Sequence, residues 1–317
     1  MRFLFCLLVL TVATARAETL NYVEVPNFFD HDPGGAQLGP CHGGTVIDKS
    51  GNIYVTTDTA RGIIEFSPKG KFVRAFGPSH LHGVELRKEH GVEYIYGANP
   101  TDHKVVKVKL DGTIVWTIEY PKEAGIFKNA DGFKPCAVTV GPDGSIFVAD
   151  GYGSNYIFKY DKNLKFIKAF GGPAKGMEEG KFNTCHGIAL DTRGKKPLLF
   201  VCNRNNNCIE YWDLDGNFVK VIQKDLRMPA AVNIRGKYAV VPELKGRVTL
   251  LDKDGNIVAQ MGDNPDEKQR ANFGLKPDQW KDGICNSPHG AAIDKDGNII
   301  VTEWSAFGHL HKFVLTK

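Results

Sequence analysis

The stretch Ser287–Glu303, SPHGAAIDKDGNIIVTE, aligns without a gap with Lys134–Asp150, KPCAVTVGPDGSIFVAD. Both stretches start with small residues, continue through alternating apolar positions, turn at Asp-Gly and return along a second apolar run. Two runs of period two that are joined by Asp-Gly are typical of a β-hairpin. The aligned stretches therefore predict one structural unit that occurs at least twice in the chain.

The unit recurs six times, with starts near Cys41, Leu81, Pro135, Thr184, Met228 and Pro288. Most copies continue into a third strand and a second turn, and four strands in about forty to fifty residues are typical of a propeller blade. The sixth copy ends after its third strand, and Leu20–Val25 can supply the missing one. We therefore predict an all-β, six-bladed β-propeller spanning residues 18–317 as a single domain, closed by the N-terminal strand. A β-sandwich with accidental similarity is the alternative.

The first seventeen residues have the pattern of a secretory signal peptide. Met1-Arg2 is followed by an apolar run from Phe3 to Val12, and Ala15-Arg16-Ala17 is a small-residue cleavage pattern. Such a segment is too short to span a membrane and is removed on export. We expect a mature chain that starts at residue 18 and is secreted or periplasmic. The rest of the sequence has no run of the roughly eighteen apolar residues that a membrane span requires.

Composition and charge limit the functional classes. The chain is 42% hydrophobic and 24% charged, with 35 glycines and 16 prolines, which indicates a globular, turn-rich protein. Its 40 basic and 36 acidic residues leave a net charge of +4, and no run of Lys and Arg exceeds two residues. A binder of the phosphate backbone would carry a basic stripe, so nucleic acid is excluded as a partner. We expect a monomer that acts on a small molecule or a peptide.

Six of the seven cysteines follow the predicted signal peptide. An even number in an exported chain is compatible with disulfide bonds, although six cysteines allow fifteen pairings. Cys202 and Cys208 flank an Asn-rich, turn-like stretch between two strand patterns. A local bridge between these two is the pairing that the sequence favours.

Three histidines recur at equivalent positions of alternate blades. Because the innermost strand of each blade lines the axis, equivalent positions form a ring around one channel mouth. Read from the position of His289, that ring is Gly43, His82, Cys136, His186, Ala230 and His289. Alternate blades of six are about 120° apart, so three imidazoles would converge as the ligands of an open tetrahedral zinc site. A single histidine in such a setting is usually a turn residue, but three in register favour a metal.

A second ring of polar residues is predicted where the second strand of each blade ends, at Thr57, Asn99, Asp150, Asn203, Glu243 and Glu303. Tyr152 and Arg204 follow two of these positions and should project near the channel mouth. A tyrosine beside an arginine and a metal can act as a base, because positive neighbours lower its pKa. The alternative is a packing tyrosine and an arginine that only forms a salt bridge.

These residues resemble the peptidyl-α-hydroxyglycine α-amidating lyases, a family of NHL-repeat propellers. The similarity is densest at Lys134–Val140, Ile146–Tyr152, Cys185–Leu190, Asn203-Arg204 and Ser287–Gly290, and it extends over roughly residues 80 to 317. The resemblance implies a channel zinc held by His82, His186 and His289. It also implies that Tyr152 takes the substrate hydroxyl proton and that Arg204 holds the substrate carboxylate. The reaction would release a peptide amide and glyoxylate.

The resemblance has limits that keep other functions open. The family places an Asp, which helps to bind a structural calcium, after its last zinc histidine, whereas this chain has Gly290. If this chain binds calcium, it does so without the side-chain ligand that the family uses at this position. A lactonase-like enzyme would hold its metal with Glu, Asn and Asp, for which Asn99, Asp150, Asn203 and Glu303 are candidates. A non-catalytic NHL-repeat propeller that binds a partner through its loops is the third alternative.

Overall fold

The computed structural model describes residues 19–222 and 225–316, so the predicted signal peptide 1–17 lies outside the described residues. Twenty-four strands form six sheets of four antiparallel strands each. The strands of the first three blades are β2 (Thr45–Ile47), β3 (Ile53–Thr56), β4 (Ile63–Phe66) and β5 (Phe72–Phe76); β6 (Val84–Glu89), β7 (Val92–Asn99), β8 (Lys104–Lys109) and β9 (Ile114–Ile118); and β10 (Ala137–Val140), β11 (Ile146–Ala149), β12 (Tyr156–Tyr160) and β13 (Phe166–Gly171).

The remaining three blades repeat the arrangement, and the sixth takes its outer strand, β1, from the start of the chain. Their strands are β14 (Cys185–Asp191), β15 (Leu198–Asn203), β16 (Cys208–Trp212) and β17 (Phe218–Ile222); β18 (Asn233–Arg235), β19 (Tyr238–Glu243), β20 (Arg247–Leu251) and β21 (Ile257–Met261); and β22 (Pro288–Ile293), β23 (Ile299–Glu303), β24 (Leu310–Thr316) and β1 (Asn21–Glu24). Short 3-10 helices lie at Pro33–Gly35, Lys122–Ala124, Ala130–Gly132, Arg204–Asn206 and Pro277–Gln279.

The predicted six-bladed propeller is confirmed, including its closure by the N-terminal strand. β1 pairs antiparallel with β24, so that Val23 lies opposite Val314. The inner strands contact one another from blade to blade, and β22 contacts β2 to complete the ring. Closure removes the exposed edges that an open sheet would leave for aggregation. Within the described ranges, no helix is long and apolar enough to cross a membrane.

The Asp-Gly turns close the hairpins by a repeated device. In the sixth blade, Asp294 Oδ1 accepts hydrogen bonds from the backbone N–H groups of Asp296 and Asn298 at 2.8 and 2.9 Å. Gly297 follows with a φ of +84°, a conformation that a residue with a Cβ rarely adopts. The turns align alternating apolar side chains, which pack between neighbouring blades. Each buried aliphatic side chain contributes about 1.5–3 kcal/mol to the free energy of folding. One such layer joins Val240 and Leu250 of blade five to Val301 of blade six.

The predicted bridge between Cys202 and Cys208 is wrong. All six cysteines that the structure describes are free and buried: Cys41, Cys136, Cys185, Cys202, Cys208 and Cys285. Cys202 lies opposite Ile209 on the neighbouring strand, whereas Cys208 lies opposite Asn203. Because side chains alternate between the two faces of a sheet, this offset of one residue points the two thiols to opposite faces.

Candidate functional site

The three predicted histidines lie where the inner strands of alternate blades begin, and each is followed by a glycine. Their side chains are almost fully buried, at 3% exposed for His82, 1% for His186 and 2% for His289. The glycines that follow pack against the next blade. A Cβ at these positions would lie 2.3 Å from Cys136 O at Gly83, 2.7 Å from Ala231 Cα at Gly187 and 2.8 Å from Gly44 Cα at Gly290. Close contact between neighbouring blades therefore requires glycine after each of these histidines.

The same contact gives a steric reason for the departure at position 290. An aspartate there would drive its Cβ into the backbone of blade one, at Gly44. The side chain that helps to bind calcium in the resembled family therefore has no room at this point. Calcium binding stays a prediction, and Gly290 has no side chain that could support it.

Each of the three imidazoles is oriented by a backbone carbonyl of the next blade. The Nδ1–H groups of His82, His186 and His289 donate to the carbonyl oxygens of Cys136 at 2.7 Å, Ala230 at 2.5 Å and Gly43 at 3.0 Å. These acceptors occupy the three ring positions that lack a histidine, so imidazoles and carbonyls alternate around the axis. Since each Nδ1 carries the proton, each Nε2 presents its lone pair, as in histidine ligands of metals.

The three rings face one another closely around the channel. The distances between ring centroids are 4.6 Å for His82 and His186, 4.6 Å for His82 and His289, and 5.0 Å for His186 and His289. The Nε2 of His289 is buried and has no hydrogen-bond partner among the described residues. A buried, unpaired acceptor costs free energy, and a bound cation would remove that cost.

A fourth imidazole, His42, lies at the same point, and sequence reasoning missed it. Each of His42, His82 and His289 has one ring nitrogen that lies within 4.8 Å of the corresponding nitrogens of the other two. The gapless repeat places Gly43 in the ring, one residue away from His42. The signal that could have identified it is the sequence His42-Gly43, which has the same His-Gly pair shifted by one position.

Tyr152 and Arg204 both reach this cluster, as predicted. The Tyr152 hydroxyl lies 2.8 Å from His186 Nε2, 3.2 Å from His82 Nε2 and 3.2 Å from His42 Nε2. Arg204 Nη1 donates to the same hydroxyl oxygen at 3.1 Å. Both residues are partly exposed, whereas the three ring histidines are buried. The imidazoles are therefore closest to solvent on the side of Tyr152 and Arg204.

On the other side of the histidines the channel contains a small cavity. It has a volume of about 40 Å³ and is lined by His82, His186, His289 and residues of the inner strands. It can hold one or two water molecules but no peptide. A larger cavity of about 380 Å³, with Glu85 and Arg87 among its lining residues, lies further along the inner strands.

The pKa values of the site follow from its burial. Burial lowers the pKa of His42 to about 4 and, with help from neighbouring charges, holds those of His82, His186 and His289 well below the ordinary 6.5. All four rings are therefore neutral at pH 7, the form that binds a metal.

Without a metal, Arg204 alone does not lower the pKa of Tyr152 below its ordinary value. Burial raises the pKa of Tyr152 above its ordinary value of 10, and Arg204 opposes that rise only in part. The desolvation of a phenolate in the channel thus outweighs one guanidinium group. Deprotonation of Tyr152 at neutral pH would need a further positive charge.

The second polar ring holds loops in place. Asp150 accepts hydrogen bonds from Lys134 N at 2.6 Å and from Ser154 N at 2.6 Å. Asn203 donates from Nδ2 to Glu210 Oε1 at 2.7 Å. Asp150 and Asn203, two of the candidates for a lactonase-like metal site, are therefore engaged in structural hydrogen bonds.

Comparison with known proteins supports the repeat type and the fold. No protein-family model matches the sequence. The NHL repeat-containing protein 3 of Homo sapiens is 25% identical over 211 residues, and that of Mus musculus is 26% identical over the same length. Each match covers 62% of this chain and 59% of the relative, so the chain spans less than two thirds of these relatives.

Solved structures share the architecture at low sequence identity. A streptogramin B lyase superposes with a TM-score of 0.58 at 15% identity, covering 95% of this chain and 100% of that one. A putative gluconolactonase superposes with a TM-score of 0.62 at 15% identity, covering 93% and 98%. At this identity the likeness concerns the fold alone. The chain is therefore a six-bladed β-propeller that is similar in sequence to NHL repeat-containing proteins.

Proposed function

We propose that this protein is a zinc-dependent lyase that acts at its channel mouth on a peptidyl-α-hydroxyglycine or a similar α-hydroxy substrate. One observation carries the proposal: three imidazoles with Nδ1 fixed by backbone carbonyls lie with ring centroids 4.6 to 5.0 Å apart, and two of them contact a tyrosine hydroxyl to which an arginine donates. Few structural roles would require that arrangement, since buried histidines that only pack need no common point of convergence.

The residues present fit zinc. His82, His186 and His289 offer three neutral nitrogens, and the buried Nε2 of His289 has no partner within the described chain. The carbonyls that fix Nδ1 correspond to the outer hydrogen bonds that tune metal-bound histidines. The nitrogens that lie within 4.8 Å of one another are those of His42, His82 and His289, so His42 is a further candidate ligand beside His186. Bound zinc would supply a Lewis acid and the positive charge that favours an ionised oxygen beside it.

Arg204 and Tyr152 then have different roles in the reaction. Arg204 binds the substrate carboxylate at the partly exposed mouth and donates to the Tyr152 oxygen, so it places the substrate and stabilises negative charge there. With the further positive charge of a bound zinc, Tyr152 would be ionised, and its phenolate would accept the proton of the α-hydroxyl group. As the O–H electrons form the carbonyl of glyoxylate, the bond between the α-carbon and the amide nitrogen breaks. The departing amide nitrogen takes that proton from Tyr152, which restores the phenolate and balances the protons.

The experiment uses the chain from residue 18 onward, which is the expected exported form. After loading with zinc, the protein is incubated with a peptidyl-α-hydroxyglycine, and glyoxylate and peptide amide are measured. We expect the two products in equal amounts and at a rate that His186→Ala abolishes. A zinc-loaded protein that forms neither product would refute the lyase and favour a propeller that binds a partner without catalysis.

A further inference from the structure

A second cluster of metal-ligating side chains lies away from the channel, where the propeller closes. It contains Cys285, which follows β21, Glu303 at the end of β23 and His311 in β24. A thiol sulfur, a carboxylate oxygen and an imidazole nitrogen of these residues all lie within 4.8 Å of one another. The three side chains are almost fully buried, at 0%, 1% and 1% exposed.

Hydrogen bonds around the cluster orient its donors. His311 Nδ1 lies 2.6 Å from Glu24 Oε1, and His311 Nε2 lies 3.2 Å from Glu303 Oε1. His309 Nδ1 contacts the other oxygen of Glu303 at 3.1 Å. Glu24 thus holds His311 from the Nδ1 side, while Nε2 faces the carboxylate and the thiol. A carboxylate on the far nitrogen of a histidine is the usual outer support of a zinc ligand.

We propose that Cys285 Sγ, Glu303 Oε1 and His311 Nε2 form a second zinc site, with Glu24 as the carboxylate that orients His311. A thiolate, an imidazole and a carboxylate together suit zinc, whereas magnesium and calcium prefer oxygen donors alone. The three donors come from one blade and the loop that leads into it.

Charge balance supports a divalent ion. A thiolate at Cys285 and the carboxylates of Glu24 and Glu303 would place three negative groups around the neutral His311. A zinc ion bound there would offset two of these three charges and leave −1 on the cluster. The ion therefore adds no uncompensated charge to the buried site.

The surroundings place the cluster just beneath the surface and give zinc binding a consequence for stability. A surface cavity of about 470 Å³ lies beside the cluster and is lined by its neighbours Glu24, Trp280 and His309, but not by the three proposed ligands. The ring of Trp280 stacks on that of His309 with centroids 3.9 Å apart. Because Glu24 belongs to β1, zinc would bind more tightly once the N-terminal strand has closed the ring and Glu24 orients His311. Such binding stabilises the folded state by mass action.

Cobalt distinguishes this site from the channel. Cobalt(II) replaces zinc in tetrahedral sites, and a thiolate ligand gives it an intense near-ultraviolet charge-transfer band that imidazoles do not give. The channel ligands are imidazoles, so the thiolate band reports the second site alone. The chain from residue 18 onward is stripped with a chelator and titrated with cobalt(II). We expect the band to saturate at about one equivalent of bound thiolate-ligated metal per chain.

Three variants complete the test. Cys285→Ser is expected to remove the band, whereas Cys202→Ser, which changes a buried thiol outside the cluster, is expected to keep it. Glu24→Gln is expected to weaken cobalt binding by about 10- to 100-fold. The His82→Ala/His186→Ala variant should retain the band, which separates this proposal from the channel lyase. Cobalt uptake by the wild type without a thiolate band would overturn the site, even if Cys285→Ser does not fold.

Discussion

Replacing Tyr152 by Phe removes one oxygen from the centre of the channel site and leaves the ring in place. That oxygen contacts Nε2 of three histidines at 2.8 to 3.2 Å and accepts from Arg204 at 3.1 Å. The ring itself packs edge-on against His82 and His186, with centroids 5.1 and 5.3 Å apart. Tyr152→Phe should therefore preserve the fold and the imidazole nitrogens while removing the group that takes the proton.

The size of the expected effect follows from the role of the hydroxyl. A positioned general acid or base contributes about 10²- to 10⁴-fold to the rate, which corresponds to about 2.7–5.4 kcal/mol in activation free energy. We expect kcat for glyoxylate release to fall by at least about a hundredfold, with bound zinc unchanged. The assay measures glyoxylate under saturating substrate, and metal content is determined on the same samples.

Tyr160→Phe is the matched control for this experiment. Within the described part of the chain, the Tyr160 hydroxyl is buried without a hydrogen-bond partner, and the residue packs between blades away from the channel. Its removal should leave both turnover and zinc content unchanged. Full activity in Tyr152→Phe with zinc retained would refute the assigned role of Tyr152.

Three further changes test the packing and the charges. Gly187→Ala places a Cβ 2.7 Å from Ala231 Cα, so we expect a lower thermal midpoint and weaker zinc binding in calorimetric titration. Arg247→Met leaves the buried carboxylate of Glu243 without its 2.8 Å partner, and chemical denaturation should show a loss of about 3–5 kcal/mol. Because burial lowers the pKa of His42 to about 4, the unfolded chain takes up that proton first as the pH falls below 6.5. The free energy of unfolding, measured by denaturant at a series of pH values, should therefore fall between pH 6.5 and 4, and less steeply in His42→Gln. An unchanged thermal midpoint in Gly187→Ala would contradict the close packing of the blades, and an unchanged unfolding free energy in Arg247→Met would contradict the buried ion pair. A pH dependence that His42→Gln leaves unchanged would contradict the burial effect on His42.

The architecture could be predicted because each repeat carries its own local signals. The Asp-Gly turns, such as the one at Gly297, and the alternating apolar runs specify hairpins without reference to the rest of the chain. Six such units in one chain then predict a closed ring of six blades. The same register aligned His82, His186 and His289, which the structure brings together with Tyr152 and Arg204.

Features that depend on contacts between distant segments could not be predicted in this way. His42 joins the site from outside the repeat register. It lies next to a backbone β-bridge between Cys41 and Ser305, which links blade one to blade six. The cluster around His311 assembles from residues 285, 303 and 311 and from residue 24, which reaches them only through the N-terminal strand. The Tyr152 pKa depends on burial, which a count of positive neighbours does not include.

The zinc content of the purified chain from residue 18 onward, compared with that of the His82→Ala/His186→Ala variant, tests the channel site most directly. His90→Asn serves as the control, since His90 is exposed in a turn. We predict that the double variant loses about one equivalent of zinc per chain, the number expected for one three-histidine site, while His90→Asn loses none. Equal zinc contents in the wild type and the folded double variant would contradict the channel metal site and the lyase function that rests on it.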